Sequence, residues 1–301
     1  MKLLAHLRNL TLAAGIVSLA ACAGAPRANV TATKANNATP PMVQFQQVRN
    51  ATIRLQYAGT TFLIDPMLAK KAAYPGFEGT YNSELRYPLV DLPMPVSEVI
   101  AADAVILTHL HADHWDDAAK AQLPKDMPIF VQNEDDARSV REDGFADVRV
   151  LNEDTEFEGT RLIRTAGQHG SDAMMQSPLG ALLGKVSGVV FQRPGYKRVY
   201  VVGDTVWNAH VESALQRHQP DVVVLNAGYA RVLGFEGSII MGKEDVERAY
   251  RFAPKATVIA SHLEAVNHGM LTRKELRAFI AEKGLDPERA RVPEDGERYH
   301  F

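Results

Sequence analysis

Within the run Thr108–His114, His109, His111, Asp113 and His114 place four metal-capable side chains in six residues. The apolar stretch Ala104–Leu107 immediately precedes them. Neutral imidazoles and a carboxylate are the donor set that suits zinc and its neighbours. On the end of a buried strand such groups are costly unless something consumes their lone pairs, and a metal ion does that. Three further ligand-type residues recur in the same local setting. Arg161–Ala166 leads into Gly167-Gln168-His169, Val199–Val202 into Gly203-Asp204, and Thr257–Ser261 into His262. Each is a short apolar segment with one His or Asp at its C-terminal end, where loops from distant parts of an α/β chain converge on ligand sites.

With these residues in hand, the chain from 44 to 301 resembles the metallo-β-lactamase superfamily, whose H-x-H-x-D-H signature stands at His109–His114 with His169, Asp204 and His262 following in the expected order. The resemblance implies His109, His111 and His169 as ligands of a first metal, Asp113, His114 and His262 as ligands of a second, and Asp204 as a carboxylate bridging both. It also implies that Asp65, which ends Thr61–Ile64, is a buried carboxylate that fixes a ligand's orientation. The hairpin region Ile53–Pro66 and the pairing of Gly203-Asp204-Thr205 with Ser261–Glu264 look like the L-ascorbate-6-phosphate lactonase-like and N-acylphosphatidylethanolamine phospholipase D-like members. The only cysteine is Cys22, so no second-site cysteine is present, and His111 occupies the place of a di-iron glutamate. Zinc is therefore favoured, with Mn2+ or Fe2+ as alternatives.

The implied chemistry is that of a binuclear hydrolase. Two divalent ions about 3.5–4 Å apart hold a bridging hydroxide and polarise the bond it attacks. Asp113 both ligates and orients that nucleophile, and His268 is placed to give a proton to a leaving group. An ester, lactone or amide is the expected substrate, small or lipid-like. A phosphodiester is the alternative, with Arg86, Arg231 or Lys185 expected to line the pocket, and a binding lipoprotein without turnover is the third reading. Lys70–Pro95 reads equally as an active-site lid or a plain ordered loop. Ser171–Lys185 offers Met174, Met175, Leu179, Leu182 and Leu183 as core packing or as an apolar substrate wall. Asn226 is expected to serve structural hydrogen bonding and Trp115 to pack beneath the metal loop.

The elements that must position these groups follow from periodicity. Val43–Arg49, Thr52–Leu55 and Phe62–Ile64 read as a strand meander, and Asp221–Leu225 and Ala256–Ala260 as later strands. Asp116–Leu123, Glu134–Glu142 with Asn133 as cap, Trp207–His218, Lys243–Phe252 and Thr272–Lys283 have helical spacing and sensible stops. This is an α/β chain with a two-layer β core flanked by helices, matching the αββα four-layer sandwich that the resemblance implies.

The start of the chain reads differently. Lys2, His6 and Arg8 precede the apolar run Leu10–Ala21, a secretory pattern too short for a comfortable membrane span. Leu19-Ala20-Ala21-Cys22 resembles the bacterial lipobox, so residues 1–21 are expected to be a signal peptide. A lipidated Cys22 would then anchor a periplasm-facing lipoprotein, with the outer membrane expected because Ala23 carries no retention signal. Residues 22–43, rich in Ala, Thr, Asn and Pro, read as a flexible tether. With 46% hydrophobic and 23% charged residues the remainder is an ordinary globular domain, and a net charge of −3 argues against a nucleic-acid surface. Oligomeric state is not legible.

Overall fold

A computed structural model describes residues 42–301 of the chain. The expected signal, Cys22 and nearly all of the tether lie outside the described residues. In chain order the strands are β1 (Val43–Arg49), β2 (Thr52–Tyr57), β3 (Thr60–Ile64), β4 (Ala104–Ile106), β5 (Ile129–Val131), β6 (Val148–Val150), β7 (Glu156–Phe157), β8 (Thr160–Ala166), β9 (Ser187–Gln192), β10 (Val199–Val201), β11 (Val222–Asn226), β12 (Thr257–Ser261), β13 (Ala290–Arg291) and β14 (Arg298–His300). The helices are α1 (Val96–Val99), α2 (Asp117–Gln122), α3 (Glu134–Glu142), α4 (Asp172–Met175), α5 (Leu179–Leu183), α6 (Ala209–His218), α7 (Lys243–Phe252) and α8 (Arg273–Glu282). One sheet runs β14-β1-β2-β3-β4-β5-β6 and the other β13-β12-β11-β10-β9-β8-β7.

Alternation along the strands builds the layers. Ala104 and Ile106 point into the core between the sheets with Phe45, Leu55, Phe62, Phe191 and Val224, while Val105 between them faces the other way. On that outer face Val105 packs with Val99, Ala119 and Val140 of α1, α2 and α3. The second sheet turns Tyr200, Val223 and Val258 outward onto Val211, Val246 and Leu276 of α6, α7 and α8. Two mixed sheets lie face to face with helices on both outer sides, the expected αββα sandwich. Buried on both faces, β4 and β11 read as continuous apolar runs.

The differences from expectation lie at element ends. Val43, the last residue of the expected tether, is the first of β1, where it pairs with Tyr57 and is fully buried. Asp116 precedes α2 as its cap and accepts from Ala119 N at 2.7 Å. Asn208 caps α6 through His210 N and Val211 N, so that helix starts two residues after Trp207. The segment 171–185 folds into α4 and α5, and part of it packs as core. Met174 and Leu183 are buried, while the Leu182 side chain is 74% exposed.

β4 runs parallel to β3 and β5, and β11 runs parallel to β10 and β12. Their C-terminal ends therefore lie on one edge of each sheet. The loops after β4, β8, β10 and β12 carry every ligand-type residue singled out above.

Candidate metal centre

The structure brings His109, His111, Asp113, His114, His169, Asp204 and His262 together. Three groups of donor atoms converge: His109 with His111 and His169, Asp113 with His114 and His262, and His109 with His114 and Asp204. His109 Nε2 is 3.0 Å from His111 Nδ1, and His114 Nε2 is 3.2 Å from His262 Nε2. Asp204 Oδ2 stands 3.2 Å from His114 Nε2, 3.7 Å from His262 Nε2 and 3.8 Å from His169 Nε2, so one oxygen faces both sets. Asp113 Oδ2 lies 3.2 Å from His262 Nε2. Donors held 2.0–2.2 Å from a tetrahedral ion are roughly 3.2–3.5 Å apart, so these spacings fit divalent ions.

Four of the five imidazoles have their tautomer set by what the other nitrogen touches, while His262 Nδ1 is buried without a hydrogen-bond partner among the described residues. A carbonyl or carboxylate oxygen can only accept, so the facing ring nitrogen donates. His114 Nδ1 donates to Asp65 Oδ2 at 2.9 Å, His169 Nδ1 to Ile239 O at 2.8 Å and His111 Nε2 to Leu182 O at 2.9 Å. The Thr108 hydroxyl donates to Asp65 Oδ2 at 2.7 Å and can then accept from His109 Nδ1 at 3.2 Å. In all four rings the lone pair left over is the one that points into the cluster. Asp65 thus holds His114 directly and His109 through Thr108, the orienting role expected of it. Asp65 sits at φ +48, a left-handed turn that brings its carboxylate back over Thr108 N at 2.7 Å.

Charge balance points the same way. Burial opposes ionisation of Asp113 and Asp204, but the surrounding imidazoles overcome it and hold both carboxyls well below their ordinary range. Burial would also depress His114 and His262, yet the neighbouring carboxylates raise both above the usual histidine value. Protons on those rings supply the positive charge that the two buried carboxylates require, a job cations do without them. His109 lies on the far side of this balance: burial, with His114 and His111 close by, pushes it well below the usual value.

Residues expected nearby sort cleanly. Asn226 Nδ2 donates to Asp204 Oδ1 at 2.7 Å, which orients the carboxylate. Trp115 is buried against Phe145 under the metal loop and donates from Nε1 to Asp143 at 3.1 Å. His268, 7% exposed, joins His111, Asp113 and His169 in lining a cavity of about 330 Å3. Its ring meets Phe77 edge-on, and burial pushes its pKa down to about 4. Phe77 and Thr80 bring the 70–95 segment to the same cavity, and Leu179, Leu182 and Leu183 bring α5. Arg86, Arg231 and Lys185 are not among the lining residues; Arg86 binds the carbonyls of Ala72 and Ala73. Wider clefts of about 450 Å3 beside Tyr299 and about 570 Å3 beside Phe252 lie away from these donor groups.

Sequence reading missed Asn50, whose amide reaches Asp113, and Gln47, which supports that turn. It also missed the two carbonyls that orient His111 and His169. A polar Gln-x-x-Asn between two strands is a weak signal, and backbone carbonyls carry none.

A two-sheet sandwich with a His/Asp cluster across its strand ends is the architecture of the metallo-β-lactamase superfamily. A model of the beta-lactamase superfamily domain matches residues 60–263. The UPF0173 protein YddR of Bacillus subtilis is 48% identical over 256 residues, covering 85% of this chain and 98% of that protein. A UPF0173 metal-dependent hydrolase of Azorhizobium caulinodans is 23% identical over 83% of this chain and 96% of its own length. Among solved structures, one from Veillonella parvula is 47% identical with a TM-score of 0.84, covering 86% of this chain and 99% of that one. The isothiocyanate hydrolase from Delia radicum gut bacteria is 49% identical with a TM-score of 0.82, over 86% of this chain and 99% of that one. The chain belongs to the UPF0173 metal-dependent hydrolase family of the metallo-β-lactamase superfamily.

Proposed function

We infer that this hydrolase uses two divalent ions, zinc by preference, to cleave small uncharged substrates at an electrophilic carbon. The observation that carries the reading is the shape of the site. Four of the seven converging donors, His111, Asp113, His169 and Asp204, line a small cavity walled by Phe77, α5 leucines, Val232 and Ile239, with no Lys or Arg among its lining residues. A phosphodiester would meet no cation there beyond the metals, which counts against the phosphodiesterase alternative. Within the carbon electrophiles, isothiocyanates are favoured because a relative 49% identical over nearly its whole length is an isothiocyanate hydrolase. Esters, lactones and amides belong to the same class, and the lactonase-like resemblance of the Ile53–Pro66 hairpin is in keeping with it.

Bound divalent ions lower the pKa of water from 15.7 to about 7 and polarise the electrophile. The chain's own groups do the rest. Asp113, held ionised well below its ordinary range, accepts a hydrogen bond from the attacking water and orients it. The apolar wall holds the substituent and keeps bulk water out. His268, neutral at pH 7 with its pKa near 4, is a hydrogen-bond partner for the substrate heteroatom and not an imidazolium acid. For an isothiocyanate, the water oxygen would add to the central carbon, both water protons would pass in turn to nitrogen, and the C–N bond would break to leave a primary amine and carbonyl sulfide.

The test is metal analysis of the purified protein with turnover of benzyl isothiocyanate, p-nitrophenyl acetate, a lactone panel and bis(p-nitrophenyl) phosphate. Two ions per chain and carbon-electrophile turnover that chelation abolishes and metal restores would support the reading. Preference for the phosphodiester would replace it with the second, and fewer than one ion without turnover would leave a binding protein. We also infer export to the cell envelope and a lipid anchor at Cys22, facing the periplasm from the outer membrane. Cys22→Ser should then move the protein from the membrane to the soluble fraction, and an unchanged distribution would defeat the anchor.

A further inference from the structure

The turn between β1 and β2 is built around a residue that touches ligand-type groups of both sheets. Asn50 is fully buried and adopts φ +55, a left-handed conformation that Asn tolerates better than most residues. The pairing of β1 with β2 shifts register between Gln47 and Arg49, a bulge that bends the turn toward the centre. From there Asn50 Nδ2 donates to Asp113 Oδ2 at 3.2 Å, the oxygen that faces His262 Nε2, and lies 3.1 Å from Asp113 O. Asn50 O accepts from His262 N at 3.0 Å, from Ser261 Oγ at 3.1 Å and from Gln47 Nε2 at 2.8 Å. Ser261 Oγ is also 2.8 Å from Gln47 Oε1, which closes a buried network around the turn. Asp113 follows β4 of one sheet and His262 follows β12 of the other. Among the described residues, Asn50 therefore contacts both of these ligand-type residues at once, by side chain on one side and by backbone on the other.

We propose that Asn50 is a positioning residue for the ion held by Asp113, His114 and His262: its amide fixes the Asp113 carboxylate while its carbonyl fixes the His262 loop. A hydrogen bond to a ligating carboxylate sets the oxygen's direction, and outer partners of this kind change metal affinity by about 10–100-fold. The proposal rests on the two-ion reading above, and metal binding tests it without any substrate.

Asn50→Gly removes the amide while keeping both the carbonyl and a residue at ease at positive φ. Asn50→Asp keeps the side-chain volume but puts a carboxylate against Asp113. For each full-length variant, zinc is titrated against a competing chelator, and the cobalt(II) derivative is followed by its visible absorption. In Asn50→Gly one ion should bind 10–100-fold more weakly, with an altered cobalt spectrum, while the other binds as in the parent. Asn50→Asp should lose more. Two ions bound with parental affinity and spectrum in Asn50→Gly would overturn the proposal. If the parent binds a single ion, the two-ion reading fails. Weaker binding of that ion in Asn50→Gly would still uphold the positioning role, and unchanged binding would end it. Failure of both variants to fold would make Asn50 a structural turn residue and overturn the proposal as well.

Discussion

The two halves of the candidate metal centre, one donor group around Asp113, His114 and His262 and one around His111 and His169, are held by different kinds of partner. Asp113, His114 and His262 are buried and braced by side chains and turns of the sandwich itself, Asp65 after β3 and Asn50 between β1 and β2. His111 and His169 take their orientation from backbone carbonyls, Leu182 O in α5 and Ile239 O in the loop before α7. Both of those residues also line the cavity, and the Leu182 side chain is largely in solvent. The first half is therefore tied to the elements with the most buried surface. The second is tied to covering segments that line the cavity.

That contrast can be broken from the buried side first. Asp113→Ala removes a ligand-type oxygen and the group assigned to orient water, so kcat should fall by about 10²–10⁴-fold. The melting temperature of the metal-free protein should change little, and retained full activity would end the assignment. Asp65→Asn should weaken the ion of the buried half by about 10–100-fold in a chelator titration. The loss at the other half should be smaller, since Asp65 reaches His109 only through Thr108.

His268 gives a pH-dependent test at the boundary between the halves. Its folded pKa of about 4 lies below the ordinary 6.5 because burial disfavours the charged ring. The unfolded chain therefore binds a proton that the folded chain does not, and stability falls as pH drops from 6.5 toward 4. Denaturant melts of the metal-free protein should lose roughly 1.5–2 kcal/mol between pH 6.5 and 5 from this group, and His268→Gln should remove that slope. An unchanged slope would mean that the ring is not held neutral.

The smallest effect should come from the covering side. A Cβ at Gly180 would stand 2.2 Å from Met175 O, so Gly180→Ala must displace α5 and with it Leu182 O. We expect less than a tenfold rise in KM and a weaker ion at the His111 half only, since one neutral hydrogen bond contributes about 0.5–1.5 kcal/mol. A loss equal to that of Asp65→Asn would erase the distinction between the halves.

The ligand-type residues were legible because each needs a special residue type at the end of an apolar strand, and composition at such ends is informative. Helix bounds were legible where caps are side chains: Asn133 and Thr272 stand where α3 and α8 start. The start of α6 was read two residues early, at Trp207, because periodicity cannot distinguish a helical residue from one that packs against the helix start. Asn50 was not legible, since a buried Asn in a tight turn has the same local sequence as an exposed one. The two faces of β4 were not legible either, since a strand buried on both sides reads as one continuous apolar run.

The sequence alone determined the ligand-bearing strands, the longer helices, and the set of His and Asp donors and their order, because hydrophobic period and ligand chemistry are local properties. Tertiary structure alone decided which lone pairs face inward, which carboxylate oxygen is shared and what walls the cavity. Those depend on atoms as far apart in the chain as Asn50, Asp113 and His262, brought within hydrogen-bond reach by the packing of two sheets. No local pattern encodes that distance.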